Sequence, residues 1–456
     1  MNTVREIFEA FAEDELIEGQ SINLAGWVRT NRNNGSIGFI EFNDGSKFTN
    51  LQLVYDKANF DNFAEITHYN TGTAIIVEGF IVLTVDKKQP FELHLDAVEL
   101  VGVADETYPL QKKRHSLEFL REISHLRPRT NTFQALYRVR SELSFAIHRF
   151  FHDNNFVYVH TPILTGNDAE GAGSVFKVVT DDKNPNDFFG VPASLTVSGQ
   201  LHVEAFALSF RDVYTFGPTF RAEKSYTARH AAEFWMIEPE LAFADLNDNM
   251  ECIEECIKYC VNHVLENCSE EIQFFNKFID KDLNDRLVNL LGKEFTRITY
   301  TEAIDILKKA LKDGVRFENS NIEWGMDLQT EHERFLSEKH VNGPVFVTDY
   351  PKEIKAFYMR LNDDNKTVAA CDLLVPGVGE LVGGSQREER VDVLEQKMKQ
   401  LGNDEELQWY LDLRRYGGCK HAGFGIGFDR LIMYVTGMQN IRDVQPYART
   451  TGSLKY

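Results

Sequence analysis

The feature that most constrains the fold is a pair of strand-like segments, residues 212–220 and 233–243, separated by a polar stretch. The second segment alternates charged residues with large apolar ones, which is typical of a strand with one buried face. Residues 224–227, between the segments, are polar and turn-like. We therefore predict two antiparallel strands joined by a long loop, with Arg221 and Arg229 near the two ends of the loop.

The two arginines of this loop suit a phosphate chain held from both sides, because a guanidinium group pairs with phosphate oxygens through two parallel hydrogen bonds. Phe234 on the returning strand could stack on a purine. A surface hairpin with solvated charges would show the same residues. The segment 423–430, Gly-Phe-Gly-Ile-Gly-Phe-Asp-Arg, favours the ligand site. Its glycines allow close approach to the backbone, and a third arginine stands where it enters a helix.

These segments resemble the signature motifs of the class II aminoacyl-tRNA synthetases. Residues 220–223, Phe-Arg-Ala-Glu, resemble motif 2, and residues 423–430 resemble motif 3. Motif 1, a long helix and then a strand that ends in proline, is matched by residues 131–162. The resemblance covers nearly the whole chain and is closest to the asparaginyl enzymes of the aspartate, asparagine and lysine subgroup. It implies an α+β fold, with an N-terminal OB-fold β-barrel followed by a catalytic domain of an antiparallel sheet flanked by helices.

The strand pattern near the N-terminus agrees with such a barrel. Five short strand-like segments occur, at residues 21–29, 37–42, 51–55, 73–82 and 91–100. With a helix-like segment at 57–67 after the third, they predict an OB fold, although another small β-barrel would show the same pattern. We therefore divide the chain into an OB-fold domain at 1–104, a linker at 105–130 and a catalytic domain at 131–456 with an inserted subdomain at about 270–340.

OB folds bind single-stranded nucleic acid by stacking bases on aromatic side chains in a basic groove. Phe39 and Gln52 fall on the second and third predicted strands, which form the usual binding face. The resemblance implies that these two residues read the middle base of the tRNA anticodon. It also implies that Arg29 and Arg32 meet the phosphate backbone. The alternative for Phe39 is a plain residue of the barrel core.

The net charge of −21 argues against a general nucleic-acid-binding protein, so a tRNA must meet a local basic surface. Residues 111–149 supply one, with nine lysines and arginines against three glutamates. Residues 1–11 predict an amphipathic helix rather than a signal peptide, and no segment approaches the roughly 20 apolar residues of a membrane span. We therefore expect a cytoplasmic protein with no membrane partner.

Three of the six cysteines, Cys252, Cys256 and Cys260, recur every four residues on a predicted helix. No CxxC pair is present, and a zinc site normally needs a second pair of ligands. Ordinary reduced thiols are therefore favoured over a metal site, and they fit a cytoplasmic protein.

The helix of the motif 1 segment is expected to begin at a cap formed by Asn131 or Thr132. The following strand is predicted at 156–162. The apolar positions of the helix follow the spacing of a buried face: Leu136, Val139, Leu143, Ala146 and Phe150. The resemblance implies that this unit forms the interface of a homodimer. The alternative is one ordinary core helix.

Three segments bear on the amino-acid substrate. The resemblance places Glu170 in a mobile loop that closes over the amino acid, where it meets the ammonium group. Ser198 and Gln200 match positions that hold the α-amino end. Aspartyl enzymes carry a lysine three residues after that glutamine, whereas Val203 stands here. A neutral amide needs a donor and an acceptor rather than a second cation, so Val203 favours asparagine over aspartate.

Asp372 and Glu380 flank a Pro-Gly turn on a predicted hairpin. Carboxylate oxygens suit Mg²⁺ that bridges ATP phosphates, although two ordinary loop acids would show the same pattern. The resemblance favours the metal role. It also places Arg387 on the side-chain oxygen of the substrate, which in asparagine is the amide carbonyl. Glu238 then accepts from the amide nitrogen or, as in the aspartyl enzymes, meets the α-amino group.

The resemblance implies ATP-dependent ligation of L-asparagine to tRNA(Asn) through an asparaginyl-adenylate, with release of AMP and pyrophosphate. No protein nucleophile is needed, so catalysis is positioning and charge neutralisation. Arg221 is expected on the α-phosphate, and Arg229 and Arg430 on the γ-phosphate. Glu223 is expected at the adenine amino group or the tRNA end. The other residues expected around ATP are His230, Phe234, Glu380 and Gly427.

Three other functions share parts of this pattern. A nondiscriminating aspartyl enzyme would accept aspartate, and Val203 argues against it. An asparagine synthetase on the same scaffold would use ATP without tRNA, and it would have no reason to keep a barrel with Phe39 and Gln52. A pure nucleic-acid-binding protein would have no need of the three arginines around ATP.

Overall fold

The computed structural model describes residues 1–84, 87, 89–167, 174–181, 183, 184, 186 and 188–456. These residues form two compact units, Met1–Tyr137 and Arg138–Tyr456. Within the described residues, no helix is long and apolar enough to span a lipid bilayer.

A closed five-stranded barrel dominates the first unit. Its strands are β1 (Ser21–Asn33), β2 (Ile37–Asn43), β3 (Leu51–Asp56), β4 (Ala74–Leu83) and β5 (Phe91–Gly102). They follow the order β1-β2-β3-β5-β4, and all neighbours are antiparallel except β3 and β5. The predicted OB-fold barrel is therefore confirmed.

The barrel has an apolar interior because side chains alternate across each strand. Inward positions that are fully buried include Val28, Ile40, Leu53, Val77 and Leu93. The predicted N-terminal helix is confirmed as α1 (Val4–Ala12), which packs Val4 and Ile7 against this core. A capping box between Thr3 and Glu6 begins the helix.

The helix predicted at 57–67 is much shorter in the structure. Only α2 (Phe63–Ile66) follows β3 in this stretch. The backbone turns first, and the Asp56 carboxylate stabilises that turn by accepting from the Ala58 N–H at 2.9 Å. Further along, the first unit contains α3 (Leu117–Glu122) and a 3₁₀ turn at Arg127–Arg129.

The second unit is built on a large sheet. Its described strands are β6 (Val157–Tyr158), β7 (Leu164–Thr165), β8 (Lys177–Val178), β9 (Ala193–Leu195), β10 (Asp212–Phe220), β11 (Glu233–Ala242), β12 (Thr296–Thr299), β13 (Val345–Pro351), β14 (Thr367–Val375), β15 (Gly379–Gln386) and β16 (His421–Gly427). Eight of them form one sheet in the order β12-β13-β14-β15-β16-β11-β10-β6, and β7-β9-β8 form a small one. The large sheet is antiparallel except for its outermost pairs, β12 with β13 and β10 with β6.

The predicted hairpins are confirmed. Strands β10 and β11 pair from Asp212 opposite Leu241 to Phe220 opposite Glu233, and the loop 221–232 joins them. Strands β14 and β15 form the second hairpin. These two hairpins and β16 lie side by side in the sheet, so residues distant in the chain meet at one place.

The strand prediction that follows the motif 1 helix is wrong in extent. The strand expected at 156–162 has two residues, because β6 pairs with β10 only at Val157 and Tyr158 within the described chain. Pro162 has no N–H to extend the ladder. Residues 356–361 form isolated bridges at Met359 and Leu361, because a turn at 357–358 interrupts the extended backbone.

The described helices beyond the first three are α4 (Asn131–Asp153), α5 (Gln200–Phe210), α6 (Leu246–Asn267), α7 (Ser269–Phe278), α8 (Leu283–Gly292), α9 (Tyr300–Lys312), α10 (Thr330–Arg334), α11 (Val391–Leu401), α12 (Gln408–Arg415) and α13 (Phe428–Thr436). Helix α4 is the predicted motif 1 helix, and its expected apolar face is buried. Its cap differs from the prediction. Thr130 precedes the helix, and its hydroxyl accepts from the Phe133 N–H at 3.4 Å.

The stretch at about 270–340 contains β12 and most of α7 to α10. Strand β12 lies parallel to β13 at the edge of the large sheet. Helix α9 packs on that edge through a buried apolar cluster that includes Tyr300, Leu307 and Val347. This stretch therefore extends the large sheet and adds a helical layer to it.

Candidate active site

A cavity of about 450 Å³ opens where the β10–β11 loop, the β14–β15 hairpin and the start of α13 meet. The predicted residues that line it are Ser198, Gln200, Arg221, Glu223, Arg229, His230, Phe234, Glu238, Asp372, Glu380, Arg387, Gly427 and Arg430. Glu170 lies outside the described residues. The structure therefore gathers the predicted ATP, metal and amino-acid residues of the described chain into one site.

Arg221 and Phe234 lie together on the β10–β11 hairpin. Arg221 follows the last residue of β10, and its backbone N–H donates to the Ala232 carbonyl at 2.9 Å. Phe234 stands on β11 opposite Thr219. The guanidinium carbon of Arg221 lies 5.4 Å from the centre of the Phe234 ring. A guanidinium group that can bind phosphate and a ring that can stack on a base are therefore neighbours.

Arg229 and Arg430 are held by the hairpin that carries Glu380. Arg229 donates to the Thr330 hydroxyl at 2.5 Å and to the Val378 carbonyl. Arg430 donates to the backbone and side-chain oxygens of Glu380, at 3.2 and 3.3 Å. Burial and the charge of Arg430 lower the pKa of Arg229. An anion between these cations would relieve their repulsion.

Glu223 and His230 are exposed at the mouth of the cavity. Partial desolvation of the His230 ring and the charge of Arg430 lower the pKa of His230. The Thr227 hydroxyl lies 2.5 Å from His230 Nδ1. Gly427 directly precedes α13, next to the Arg430 side chain. These residues border the space beside the arginines.

Asp372 and Glu380 converge from the two strands of the β14–β15 hairpin. A Cβ placed on Gly383 would lie 3.3 Å from Glu380 Oε1 and 3.5 Å from Asp372 Oδ1. The two oxygens therefore share one cradle over a residue without a side chain, and hard oxygen donors of this kind fit Mg²⁺. Among the described residues, no group of three or more acidic, histidine or cysteine side chains is arranged as a metal site. A metal on this pair would thus complete its coordination with substrate or water oxygens.

The two carboxylates differ in their electrostatics. Burial opposes ionisation of Glu380, but Arg430 and Lys355 outweigh it and hold the pKa of Glu380 below its ordinary value. Burial raises the pKa of Asp372, and Lys355 offsets this only in part. Glu380 is therefore the more firmly ionised member of the pair.

Sequence reasoning missed two charged residues of this cluster. Lys355 Nζ lies 2.6 Å from Asp372 Oδ2 and 3.9 Å from the centre of the Tyr350 ring. Glu333 of α10 accepts from the Glu380 backbone N–H at 3.0 Å. Burial and the charge of Glu380 raise the pKa of Glu333 to about 7. A lysine in a loop and a glutamate in a short helix carry no sequence signal that separates them from surface charges.

The α-amino side of the predicted site is organised by Glu238. Its carboxylate accepts from the Ser198 hydroxyl and from the Gly199 N–H, the latter at 2.9 Å. A Cβ on Gly199 would lie 2.5 Å from Thr161 Oγ1, so only glycine fits there. Burial raises the pKa of Glu238. Glu238 thus lies beside Ser198, at the end of the site that the resemblance assigned to the ammonium group.

Arg387 enters the cavity from a buried ion pair that sequence reasoning did not find. Its Nε lies 3.1 and 3.2 Å from the two carboxylate oxygens of Glu240. Its NH1 group donates to the Ser385 hydroxyl at 2.8 Å. Glu240 stands two residues after Glu238 on β11, so the alternation of the strand was the available signal.

Glu204 is a buried carboxylate that lies close to both Gln200 and Arg387, the residues at the two ends of the amino-acid site. It accepts from Gln200 at 3.0 Å, and its other bonds come from Tyr410, Arg414 and His421. Arg387 Nε lies 4.0 Å from it. Burial opposes its ionisation, but Arg414 and His421 outweigh burial and hold the pKa of Glu204 well below its usual range.

Val203 does not face the cavity. It is fully buried in a small apolar cluster with Val159, Ala207 and Val213. At the position where the resemblance expects a lysine in aspartyl enzymes, this chain therefore has a valine packed among apolar side chains.

On the barrel, three of the four predicted anticodon residues lie together. The guanidinium carbon of Arg32 lies 5.3 Å from the centre of the Phe39 ring, and its NH2 group lies 3.5 Å from Gln52 Oε1. Gln52 donates in turn to Glu92 at 2.6 Å. Arg29 does not join this group. It donates to the Arg129 carbonyl and to Asn131 Oδ1, both at 2.5 Å, at the junction with the linker.

Comparisons with known proteins agree with this architecture. A family model described as tRNA synthetases class II (D, K and N) matches residues 116–451, and a model of the OB-fold nucleic acid binding domain matches residues 22–101. An asparagine–tRNA ligase of Acetivibrio thermocellus is 60% identical over 451 residues, which are 96% of each chain.

Solved structures give the same result. The asparaginyl-tRNA synthetase of Pyrococcus horikoshii, in complex with asparaginyl-adenylate, superimposes with a TM-score of 0.87 at 35% identity, over 97% of this chain and 98% of its own. The Entamoeba histolytica asparaginyl-tRNA synthetase, in complex with asparaginyl-adenylate, gives 0.84 at 26% identity, over 96% of this chain and 97% of its own.

Proposed function

This chain belongs to the class II tRNA synthetases for aspartate, lysine and asparagine, and we propose that its cavity forms and holds the adenylate through the residues named above. It ligates L-asparagine to tRNA(Asn) in an ATP-dependent reaction that proceeds through asparaginyl-adenylate. The observation that carries the residue assignments is that one cavity is lined by Arg221, Phe234, Ser198 and Arg387 together.

In the first step, an oxygen of the asparagine carboxylate attacks the α-phosphorus of ATP. The bond to the bridging oxygen of the β-phosphate breaks, and pyrophosphate leaves. Arg221 neutralises the charge that develops on the α-phosphate, while Phe234 stacks on the adenine. In the second step the 3′-terminal ribose hydroxyl of tRNA attacks the acyl carbon, and AMP leaves.

Arg229 and Arg430 hold the γ-phosphate of ATP. Both are fixed to the β14–β15 hairpin, so the phosphate chain bends toward Glu380. His230 and Gly427 border the nucleotide, and Glu223 meets the adenine amino group or the tRNA end.

Mg²⁺ is the cofactor that the Asp372–Glu380 cradle fits. When bound there with ATP, it would neutralise phosphate charge and orient the leaving group. The residues of the chain supply two carboxylate oxygens, one from each side of Gly383.

Asparagine is recognised at two ends of the cavity. Ser198, Gln200 and Glu238 hold the α-amino end, and the bond between Ser198 and Glu238 supports this reading of Glu238 over a contact with the amide. The amide carbonyl accepts from Arg387. The resemblance also assigns Glu170, which lies outside the described residues, to the ammonium group.

Phe39, Gln52 and Arg32 form the anticodon surface on the barrel. Their mutual contacts place an aromatic face, an amide and a cation side by side, which suits a stacked and hydrogen-bonded base. Arg29 contributes from the linker side of the barrel. The boundaries that we propose between the barrel domain, the linker and the catalytic domain are residues 104 and 130.

The active form is a homodimer that meets through α4 and β6. Phe145 on α4 has an exposed fraction of 69%, and Val157 and Tyr158 on edge strand β6 are also exposed. Phe145→Asp should yield monomers in sedimentation equilibrium, whereas Leu401→Asp, at an exposed position of α11, should not. Dimers that survive Phe145→Asp unchanged would refute this interface.

The enzyme acts in the cytoplasm, which cell fractionation would test.

The experiment that tests the assignment is ATP–pyrophosphate exchange without tRNA, with asparagine and aspartate in parallel. Exchange with asparagine alone is expected. Comparable exchange with aspartate would favour a nondiscriminating enzyme, and exchange with neither would mean that the scaffold has lost the reaction.

A further inference from the structure

Lys355 supplies a cation inside the cradle assigned to Mg²⁺. Its ammonium lies 2.6 Å from Asp372 Oδ2, and its side chain is 18% exposed. The Tyr350 ring lies below it, with the ring centre 3.9 Å from the ammonium. The side chain therefore holds one oxygen of Asp372 and leaves Oδ1 facing Glu380 across Gly383.

Three carboxylates, those of Asp372, Glu380 and Glu333, each lie near a different cationic side chain. Glu380 faces Arg430 at 3.3 Å, and Glu333 faces Arg229 at 3.9 Å. Arg430 and Arg229 also donate to backbone carbonyls, which fixes them to the hairpin. Lys355 differs because its ammonium is a point charge on a flexible stem.

The charge of Lys355 acts against a divalent cation. A metal between Asp372 Oδ1 and Glu380 Oε1 would lie within a few ångströms of the ammonium, and like charges at that separation repel strongly in a partly buried site. ATP carries enough negative charge to offset this repulsion. The nucleotide-free site and the nucleotide-bound site should therefore differ in metal affinity.

We propose that Lys355 keeps the Asp372–Glu380 cradle from binding a divalent cation until ATP arrives, while it holds Asp372 Oδ1 aimed at that cradle. The metal then enters with the nucleotide, and a bare cation does not occupy the phosphate subsite. This inference rests on the proposed metal role of Asp372 and Glu380.

The test is Mn²⁺ binding to the nucleotide-free enzyme, measured by electron paramagnetic resonance of the free ion. The Lys355→Met variant should bind Mn²⁺ more tightly than the wild type, on the order of tenfold or more, because one positive charge beside the site is gone. Lys355→Arg keeps the charge and should bind like the wild type. The double variant Lys355→Met with Asp372→Asn should lose the gain, which would locate it at Asp372.

Unchanged or weaker Mn²⁺ binding by Lys355→Met would overturn the inference, and thermal melting of each variant would exclude loss of the fold as the cause. A separate measurement distinguishes failure of the underlying assignment. Glu380→Gln should weaken binding of the Mn²⁺–ATP complex. If it does not, the metal role of the cradle is wrong, whereas a weakened complex without the Lys355→Met gain overturns the inference about Lys355 alone.

Discussion

Arg387 and Glu240 form a buried ion pair beneath the amino-acid end of the cavity, with the arginine Nε 3.1 and 3.2 Å from the two carboxylate oxygens. Their side chains are 4% and 1% exposed. The guanidinium that we propose to meet the substrate side chain is thus partly neutralised before any substrate binds. A neutral amide can accept from its remaining N–H groups, whereas an aspartate carboxylate would bring a second negative charge next to Glu240.

Replacing Glu240 should therefore relax the choice between asparagine and aspartate. In Glu240→Gln, no carboxylate at residue 240 offsets the charge of Arg387. We therefore expect kcat/KM for aspartate relative to asparagine to rise by about tenfold. Pyrophosphate exchange with both amino acids measures this ratio. Glu233→Gln, on the same strand, is the matched control. An unchanged ratio in Glu240→Gln would show that the pair does not discriminate.

Removing the charge of Glu204 should loosen both ends of the amino-acid site. Glu204→Gln leaves Arg414 buried without its carboxylate and weakens the hold on Gln200, so we expect a loss of about 3–5 kcal/mol in the free energy of unfolding. In the folded fraction, KM for asparagine should rise more than KM for ATP. Urea denaturation and exchange kinetics measure the two effects, with exposed Glu294→Gln as the control. Equal changes in both KM values would indicate a purely structural role.

Arg221 should be required for adenylate formation. Arg221→Ala removes the cation beside Phe234, and we expect exchange to fall by about 10²–10³-fold or more while the proposed dimer survives. Arg221→Lys should retain part of the activity, since lysine keeps the positive charge but cannot make the two parallel hydrogen bonds of a guanidinium group. Exposed Arg211→Ala serves as the control. Near-normal exchange in Arg221→Ala would refute the assigned role.

Phe39 should affect the binding of tRNA but not the first step of the reaction, the formation of the adenylate. Phe39→Ala removes the ring beside Arg32, so KM for tRNA should rise by about tenfold, because stacking one base is worth roughly 1–3 kcal/mol. Pyrophosphate exchange without tRNA should stay unchanged. Trp27→Ala, an exposed aromatic residue on β1, is the control for general effects on the barrel. A parallel fall in exchange would place Phe39 in the structural core instead.

Lys397 should make the stability of the second unit depend on pH. It donates to the Met359 carbonyl at 2.6 Å, and burial lowers the pKa of Lys397 to about 8 from 10.5. Between these two values the unfolded chain binds a proton that the folded chain does not, so the free energy of unfolding rises as pH increases through this interval. Below pH 8 the full penalty is present.

Lys397→Gln should therefore stabilise the protein at pH 7, by roughly 1–3 kcal/mol, and the gain should shrink toward pH 10. Urea denaturation at several pH values measures this, with exposed Lys399→Gln on the same helix as the control. Destabilisation by Lys397→Gln at pH 7 would mean that the bond to Met359 outweighs the cost of the buried charge.

Local pattern was enough to predict the barrel, the two hairpins and the motif 1 helix. Alternation and 3–4 spacing depend on residues only a few positions apart, so they can be read along one segment. Arg221, Phe234 and Arg430 could also be predicted from the sequence, because each lies near the end of a predicted strand or the start of a predicted helix. The extents were less predictable: β6 has two residues because its length depends on how far β10 runs beside it.

The partners of the predicted residues came from the fold. Glu240 meets Arg387, Glu204 meets Arg414, and Glu333 meets Arg229 only because the sheet order sets distant segments side by side. No local periodicity encodes which strands become neighbours, and a buried charge is stable only where such a neighbour neutralises it. Sequence pattern and the family resemblance therefore pointed to many residues of this site, while long-range packing settled which of them are paired and in what electrostatic environment each one lies.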